Sequence, residues 1–122
     1  MPSETILLVD DDHQLRELLA RALEREGYRL LKAEDVLDAL RLSLRHQEPI
    51  HLLLTDVVMP MMSGWSVYEF VSSVHPETKV LYISGHSLEQ LARRPALRNN
   101  NFLQKPFSIK SLHSQVRKVL DS

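Results

Sequence analysis

A doubly wound α/β domain with a five-stranded parallel sheet is what these 122 residues should build. Short apolar runs alternate five times with stretches of helical spacing, and the connections are a few residues long. The first, third and fourth runs are apolar without alternation, as strands covered on both faces are. Chemically interesting polar residues follow the runs, at the carboxyl-end rim where open α/β sheets bind ligands.

The third run anchors the reading. His51 through Gly64 reads HLLLTDVVMPMMSG, in which three leucines and a threonine lead into Asp56, and Met59-Pro60 and Ser63-Gly64 follow as turn signals. Asp56 then ends a central strand, where a carboxylate is costly to desolvate unless something pairs with it.

In chain order, Thr5 to Val9 is a strand broken by Asp10-Asp11-Asp12. Leu15, Leu18, Leu19, Ala22 and Leu23 trace a helix that Gly27 ends in a left-handed cap. Asp12 favours the amino end of that helix through local hydrogen bonds and the helix dipole. Tyr28 to Ala33 mixes polar and apolar residues, as an edge strand does. Val36, Leu37, Leu40 and Leu44 mark a second helix closed by Pro49.

Leu52 to Thr55 is the central strand, and Val67, Phe70, Val71 and Val74 mark a third helix that stops at His75-Pro76. Trp65 packs its first turn. Val80 to Ile83 is the fourth strand, with Ser84-Gly85 as its turn. Ser87 and Gln90 have capping-box spacing, so a fourth helix starts there and Pro95 limits it. Asn101 to Gln104 is a short last strand ended by Lys105-Pro106, and Ile109, Leu112, Val116, Val119 and Leu120 trace the fifth helix.

Composition narrows the function classes. Hydrophobic residues are 43% and charged residues 25%, ordinary for a globular domain with a core, and residues 1–122 read as one domain. Formal charge is -1, with 15 basic and 16 acidic side chains spread along the chain, which disfavours direct nucleic-acid binding. Without cysteine there are no disulfides or thiolate metal sites, in keeping with a cytoplasmic location. No leader-like segment opens the chain, and no stretch approaches the roughly 18 apolar residues of a membrane span. His13, His46, His51, His75 and His113 show no metal-ligand spacing and read as surface or capping residues.

Asp10, Asp11, Asp56, Ser84 and Lys105 all follow strands. On a sheet of order 2-1-3-4-5, strands one and three flank the topological switch and bring the carboxylates together. Each close pair of carboxylates repels by roughly 4 kcal/mol at an effective dielectric of about 20. Protonation relieves that repulsion, and so does a hard dication with oxygen ligands; few protein carboxylates with retained waters describe Mg2+ better than calcium. Lys105 adds a second positive charge for Asp56 and for phosphoryl oxygens. Asp56 is then the nucleophile that forms an acyl phosphate, and Ser84 donates to the new phosphoryl group.

Four pieces carry a resemblance over nearly the whole chain: LLVDD at Leu7 to Asp11, LLLTDVVMPMMSG at Leu52 to Gly64, VLYISG at Val80 to Gly85 and FLQKPF at Phe102 to Phe107. The chain resembles the phosphoacceptor receiver domain of two-component response regulators, with its CheY-like, flavodoxin-like strand order. The wording is most similar to receivers of hybrid sensor histidine kinases and their stand-alone relatives. The resemblance implies that Asp11 ligates Mg2+ directly, Asp10 mainly through water, and Val58 through its backbone carbonyl, with the Asp56 carboxylate as a further ligand. It implies that Asp56 takes phosphate from a histidine kinase or a histidine phosphotransfer domain, and that Lys105 is the family's lysine, in a cis bond to Pro106. Phe102 stands at the switch aromatic, whose ring turns inward as the hydroxyl residue moves toward phosphate.

The same resemblance implies self-catalysed phosphorylation and dephosphorylation, with homodimerisation on phosphorylation as one output. Lifetime depends on Val58 and His86, and Val58 cannot orient a water, so slow to moderate loss is expected. Met61 or Met62 is a candidate contact for the kinase-side partner. Two rivals stand beside this reading. An aspartate-nucleophile phosphatase would use the Asp10 and Asp12 spacing but lacks a cap, and a pseudo-receiver would be a binding module on the same fold.

Overall fold

The computed structural model describes residues 3–85 and 101–122. Five strands, β1 (Thr5–Val9), β2 (Arg29–Ala33), β3 (Leu52–Asp56), β4 (Lys79–Ser84) and β5 (Phe102–Gln104), form one parallel sheet in the order β2-β1-β3-β4-β5. Four helices are described: α1 (His13–Arg25), α2 (Val36–Arg45), α3 (Gly64–Val74) and α4 (Ile109–Asp121). The helix expected from Ser87, and His86 with it, lies outside the described residues, so α4 is the helix expected last.

Alternation along each strand sends side chains to two separate cores. Ile6, Leu8, Leu52, Leu54, Leu81 and Ile83 pack on one face against Leu19 and Leu23 of α1 and Leu112 and Val116 of α4. Leu7, Val9, Leu53 and Tyr82 pack on the other against Val36 and Ala39 of α2 and Val67 and Val71 of α3. Both faces are therefore covered, which is why the central runs show no polar alternation. Each fully buried leucine or isoleucine contributes about 1.5–3 kcal/mol. β2, at the sheet edge, is partly exposed.

Helix starts follow side-chain caps. Asp12, Asp35, Ser63 and Ser108 accept hydrogen bonds from the amides of Leu15, Asp38, Ser66 and Ser111 respectively. Gly27, just past α1, has φ 101°, the left-handed conformation that ends the helix there.

Some boundaries differ from the sequence expectation. α2 ends at Arg45, ahead of Pro49, because His46 turns extended (φ -79°, ψ 113°). α3 begins at Gly64, ahead of its first periodic valine, because Ser63 supplies the cap. His75 is not a surface residue: it caps the C-terminus of α3 and is buried. Its Nε2 lies 2.8 Å from the Ser43 carbonyl, an acceptor, so this nitrogen donates and ties α3 to α2. His46 does cap α2, and Trp65 packs against the α2–α3 core as expected. Among the described residues no helix is long and apolar enough to cross a membrane.

Candidate functional site

Strand parity and register explain why acidic residues from distant parts of the chain meet. Ile6, Leu8 and Asp10 share one parity on β1 and its extension, as Leu52, Leu54 and Asp56 do on β3, and Leu8 pairs with Leu54. One step further along both strands, the next side chains of that parity are Asp10 and Asp56. One carboxylate oxygen from each of Asp10, Asp11 and Asp56 lies within 4.8 Å of the others. Asp10 is fully buried, Asp56 is 6% exposed, and Asp11 opens to solvent.

The backbone around Asp10 is tied on every side. Its amide donates to the Ala33 carbonyl at 3.2 Å, and its Oδ1 accepts from the Asp12 amide at 2.9 Å. Its Oδ2 is buried without a hydrogen-bond partner, with the Lys105 ammonium 3.9 Å away. An orphaned carboxylate oxygen facing two more carboxylates is a hard, anionic oxygen set of the kind that suits a small divalent cation.

Lys105 reaches Asp56 from the end of β5, Nζ to Oδ1 at 3.0 Å. Its own amide donates to the Ser84 carbonyl at 2.7 Å, joining the ends of β5 and β4, and the Lys105-Pro106 bond is cis. Burial, reinforced by the Asp10 charge, pushes the Asp56 carboxyl up to about 7, and the Lys105 bond opposes that rise only in part. Burial pulls the Lys105 ammonium down, but Asp56 and Asp10 outweigh it and leave it above its ordinary value.

Ser84 is buried at the end of β4, one residue past the β4 partner of Asp56. Val58 is 61% exposed at the rim. Met61 is 81% exposed with φ 76°, whereas Met59 and Met62 pack against the α2–α3 core. Phe102 is already inward, buried on the α2–α3 side of the sheet opposite Tyr82. Asp12 is occupied as the α1 cap, with Oδ1 3.1 Å from the Leu15 amide.

Sequence reasoning took Gly64 only as a turn signal and missed Arg16, and both shape this rim. Gly64 approaches the acceptor strand so closely that a Cβ would stand 2.2 Å from the Asp56 carbonyl oxygen, and its amide donates to the Val57 carbonyl at 2.7 Å. Arg16, 8% exposed, donates from Nη1 to the Asp10 carbonyl at 2.7 Å. Its signal was legible: Arg16, Leu19, Ala20 and Leu23 have the spacing of one buried helix face, so a charged residue stands in an apolar stripe.

Comparison with known proteins agrees with this geometry. The profile of the response regulator receiver domain matches residues 6–117. The sensor kinase CckA of Brucella abortus is 34% identical over 120 residues, 98% of this chain and 13% of the kinase. The response regulator receiver protein CpdR of the same organism is 35% identical over 116 residues, 94% of this chain and 95% of CpdR. The solved receiver domain of the hybrid histidine kinase CckA superimposes with a TM-score of 0.79 at 31% identity, covering 95% of this chain and 98% of that one. A receiver protein from Sinorhizobium medicae gives a TM-score of 0.84 at 25% identity, covering 98% and 96%. With the strand order, the rim and these matches in agreement, the chain belongs to the response regulator receiver domain family of two-component signalling.

Proposed function

We propose that this receiver is a Mg2+-dependent phosphoacceptor switch that takes a phosphoryl group on Asp56 from the phosphohistidine of a histidine kinase or histidine phosphotransfer domain. The observation that carries this reading is the pairing of Asp56 with Lys105 at 3.0 Å beside the Asp10 and Asp11 carboxylates. Asp10, Asp11 and Asp56, with the Val58 carbonyl, would hold the cation. When bound, Mg2+ supplies positive charge that neutralises the carboxylates and phosphoryl oxygens.

In the transfer, an Asp56 oxygen bonds to phosphorus as the phosphorus–nitrogen bond of the donor breaks, and the departing imidazole nitrogen keeps the electron pair while the proton that leaves the ring neutral comes from solvent water. The result is an acyl phosphate and a neutral histidine. Lys105 shifts its charge from the Asp56 carboxylate toward the phosphoryl oxygens. Ser84 donates its hydroxyl to the new group, a bond that exists only after transfer and so links modification to the end of β4. Phe102 lies on the adjoining β5, where that movement would reach it. Such a protein acts in the cytoplasm, where kinases draw on ATP.

Capping of α1 by Asp12 weighs against the phosphatase reading, which needs that carboxylate as an acid near the nucleophile. The test is intact-mass measurement with acetyl phosphate, with and without Mg2+ and chelator, followed by mapping of the labile adduct. One Mg2+-dependent phosphoryl adduct, absent from Asp56→Ala, is the expected result. Multiple turnover of a small phosphate ester, or labelling indifferent to Asp56→Ala, would overturn the proposal.

A further inference from the structure

Arg16 is a nearly buried guanidinium in an otherwise apolar helix face, 8% exposed. Burying a permanent charge is costly unless it is paired or fully hydrogen-bonded. Yet the carboxylate it faces, Glu17, stands no closer than 4.0 Å. Its short contacts are instead the Asp10 carbonyl, 2.7 Å from Nη1, and His13 Nδ1, 2.9 Å from Nη2. An arginine only donates, so His13 Nδ1 is the acceptor there and the two arms of the guanidinium grip the two sides of one loop.

The loop it grips presents the acidic pair. The other hydrogen bonds at Asp10 are one that its amide donates to the Ala33 carbonyl and one that its Oδ1 accepts from the Asp12 amide. The Asp10 carbonyl belongs to the peptide that joins Asp10 to Asp11, so the donor on that oxygen decides how the peptide plane is turned. We infer that Arg16 is the positioning residue for the acidic pair: its hold on the Asp10 carbonyl turns the Asp10–Asp11 peptide so that both carboxylates face one cation. This inference rests on the phosphoacceptor reading above. A charge that merely filled the helix face would not need its fork directed at this carbonyl, and a lysine could not span both acceptors with parallel donors.

The test uses the full chain and reads cation affinity separately from chemistry. Magnesium chloride is titrated into metal-free protein, followed by the amide resonances of Asp11 and Asp12, for wild type, Arg16→Met, Arg16→Lys and His13→Ala. Loss of a partner that orients a metal ligand weakens binding on the order of tenfold, which is the expected rise in the Mg2+ dissociation constant for Arg16→Met. Arg16→Lys should recover only part of that loss, and His13→Ala should show a smaller weakening. Raising Mg2+ to saturation should restore most of the acetyl phosphate labelling that Arg16→Met loses at low Mg2+, which places the loss in cation affinity rather than in transfer.

A well-dispersed Arg16→Met spectrum with unchanged affinity overturns the inference. If that variant does not fold, unchanged affinity in both Arg16→Lys and His13→Ala overturns it equally. Wild-type protein that shows no Mg2+-dependent shifts, or no labelling of Asp56, defeats the phosphoacceptor reading and this inference with it. Wild type that binds and labels, beside Arg16 variants that bind as well, defeats this inference alone.

Discussion

A Cβ placed on Gly64 would stand 2.2 Å from the carbonyl oxygen of Asp56, so the first residue of α3 can lie against the last residue of β3 only because position 64 is glycine. Neither atom is the flexible end of a side chain. The Gly64 amide also donates to Val57, which fixes the turn that carries the rim. Gly64→Ala should therefore displace the end of β3, lower stability by roughly 1–3 kcal/mol and reduce labelling of Asp56 more than it reduces folding. Urea unfolding with acetyl phosphate labelling of the folded fraction checks both, and wild-type labelling by a folded Gly64→Ala protein would refute the expected coupling.

The raised Asp56 carboxyl sets a pH dependence in metal-free buffer. Its ordinary value of 3.8 describes the unfolded chain and about 7 the folded one, so the folded state holds the proton more tightly. The stability this gives is full below the unfolded value and is lost as pH rises toward and through the folded value. Asp56→Asn, which carries no charge to desolvate, should match wild type near pH 4 and exceed it by roughly 5–10 °C in Tm at pH 8. Thermal scans at stepped pH with chelator measure the gap, and millimolar Mg2+ should narrow it; a gap that ignores pH contradicts the expectation.

Lys105 sets its ammonium 3.0 Å from the Asp56 carboxylate. Lys105→Met keeps much of the side-chain volume and removes the ammonium, leaving the carboxylates without their internal counter-ion. Metal-free stability near neutral pH should fall by about 1–3 kcal/mol, and labelling of Asp56 should slow at saturating Mg2+. Single-turnover labelling is the decisive measurement: an unchanged rate removes Lys105 from the transfer step.

Val58 stands 61% exposed at the rim with no group that can orient a water. Replacing it with asparagine adds an amide at the same mouth, and first-order loss of the acyl phosphate should speed several-fold. Decay that is unchanged or slower in Val58→Asn would show that water reaches the phosphoryl group from elsewhere.

His75 joins α3 to the Ser43 carbonyl of α2 through a buried bond of 2.8 Å, far from the rim. His75→Ala leaves that carbonyl unpaired and a cavity beside it, so stability should drop by about 2–3 kcal/mol. Because no proposed reacting group touches His75, the folded variant should label Asp56 at the wild-type rate. A labelling defect in folded protein would place the α2–α3 contact within the switch.

The amino-acid sequence by itself marked the strands, the end of α1 at Gly27 and Asp10, Asp11, Asp56 and Lys105 as strand-end residues, whereas the strand order that gathers them at one rim came from likeness to known doubly wound sheets. Those features follow from periodicity, turn chemistry and the known winding of parallel sheets, all of which act over a few residues or repeat along the chain. Only the folded chain showed that the inward Arg16 holds the Asp10 carbonyl, that Gly64 leaves no room for a Cβ beside Asp56, that His75 bridges two helices and that Phe102 already lies inside. Each of these depends on the distance between elements far apart in sequence, which sheet register and helix packing set and no local pattern encodes.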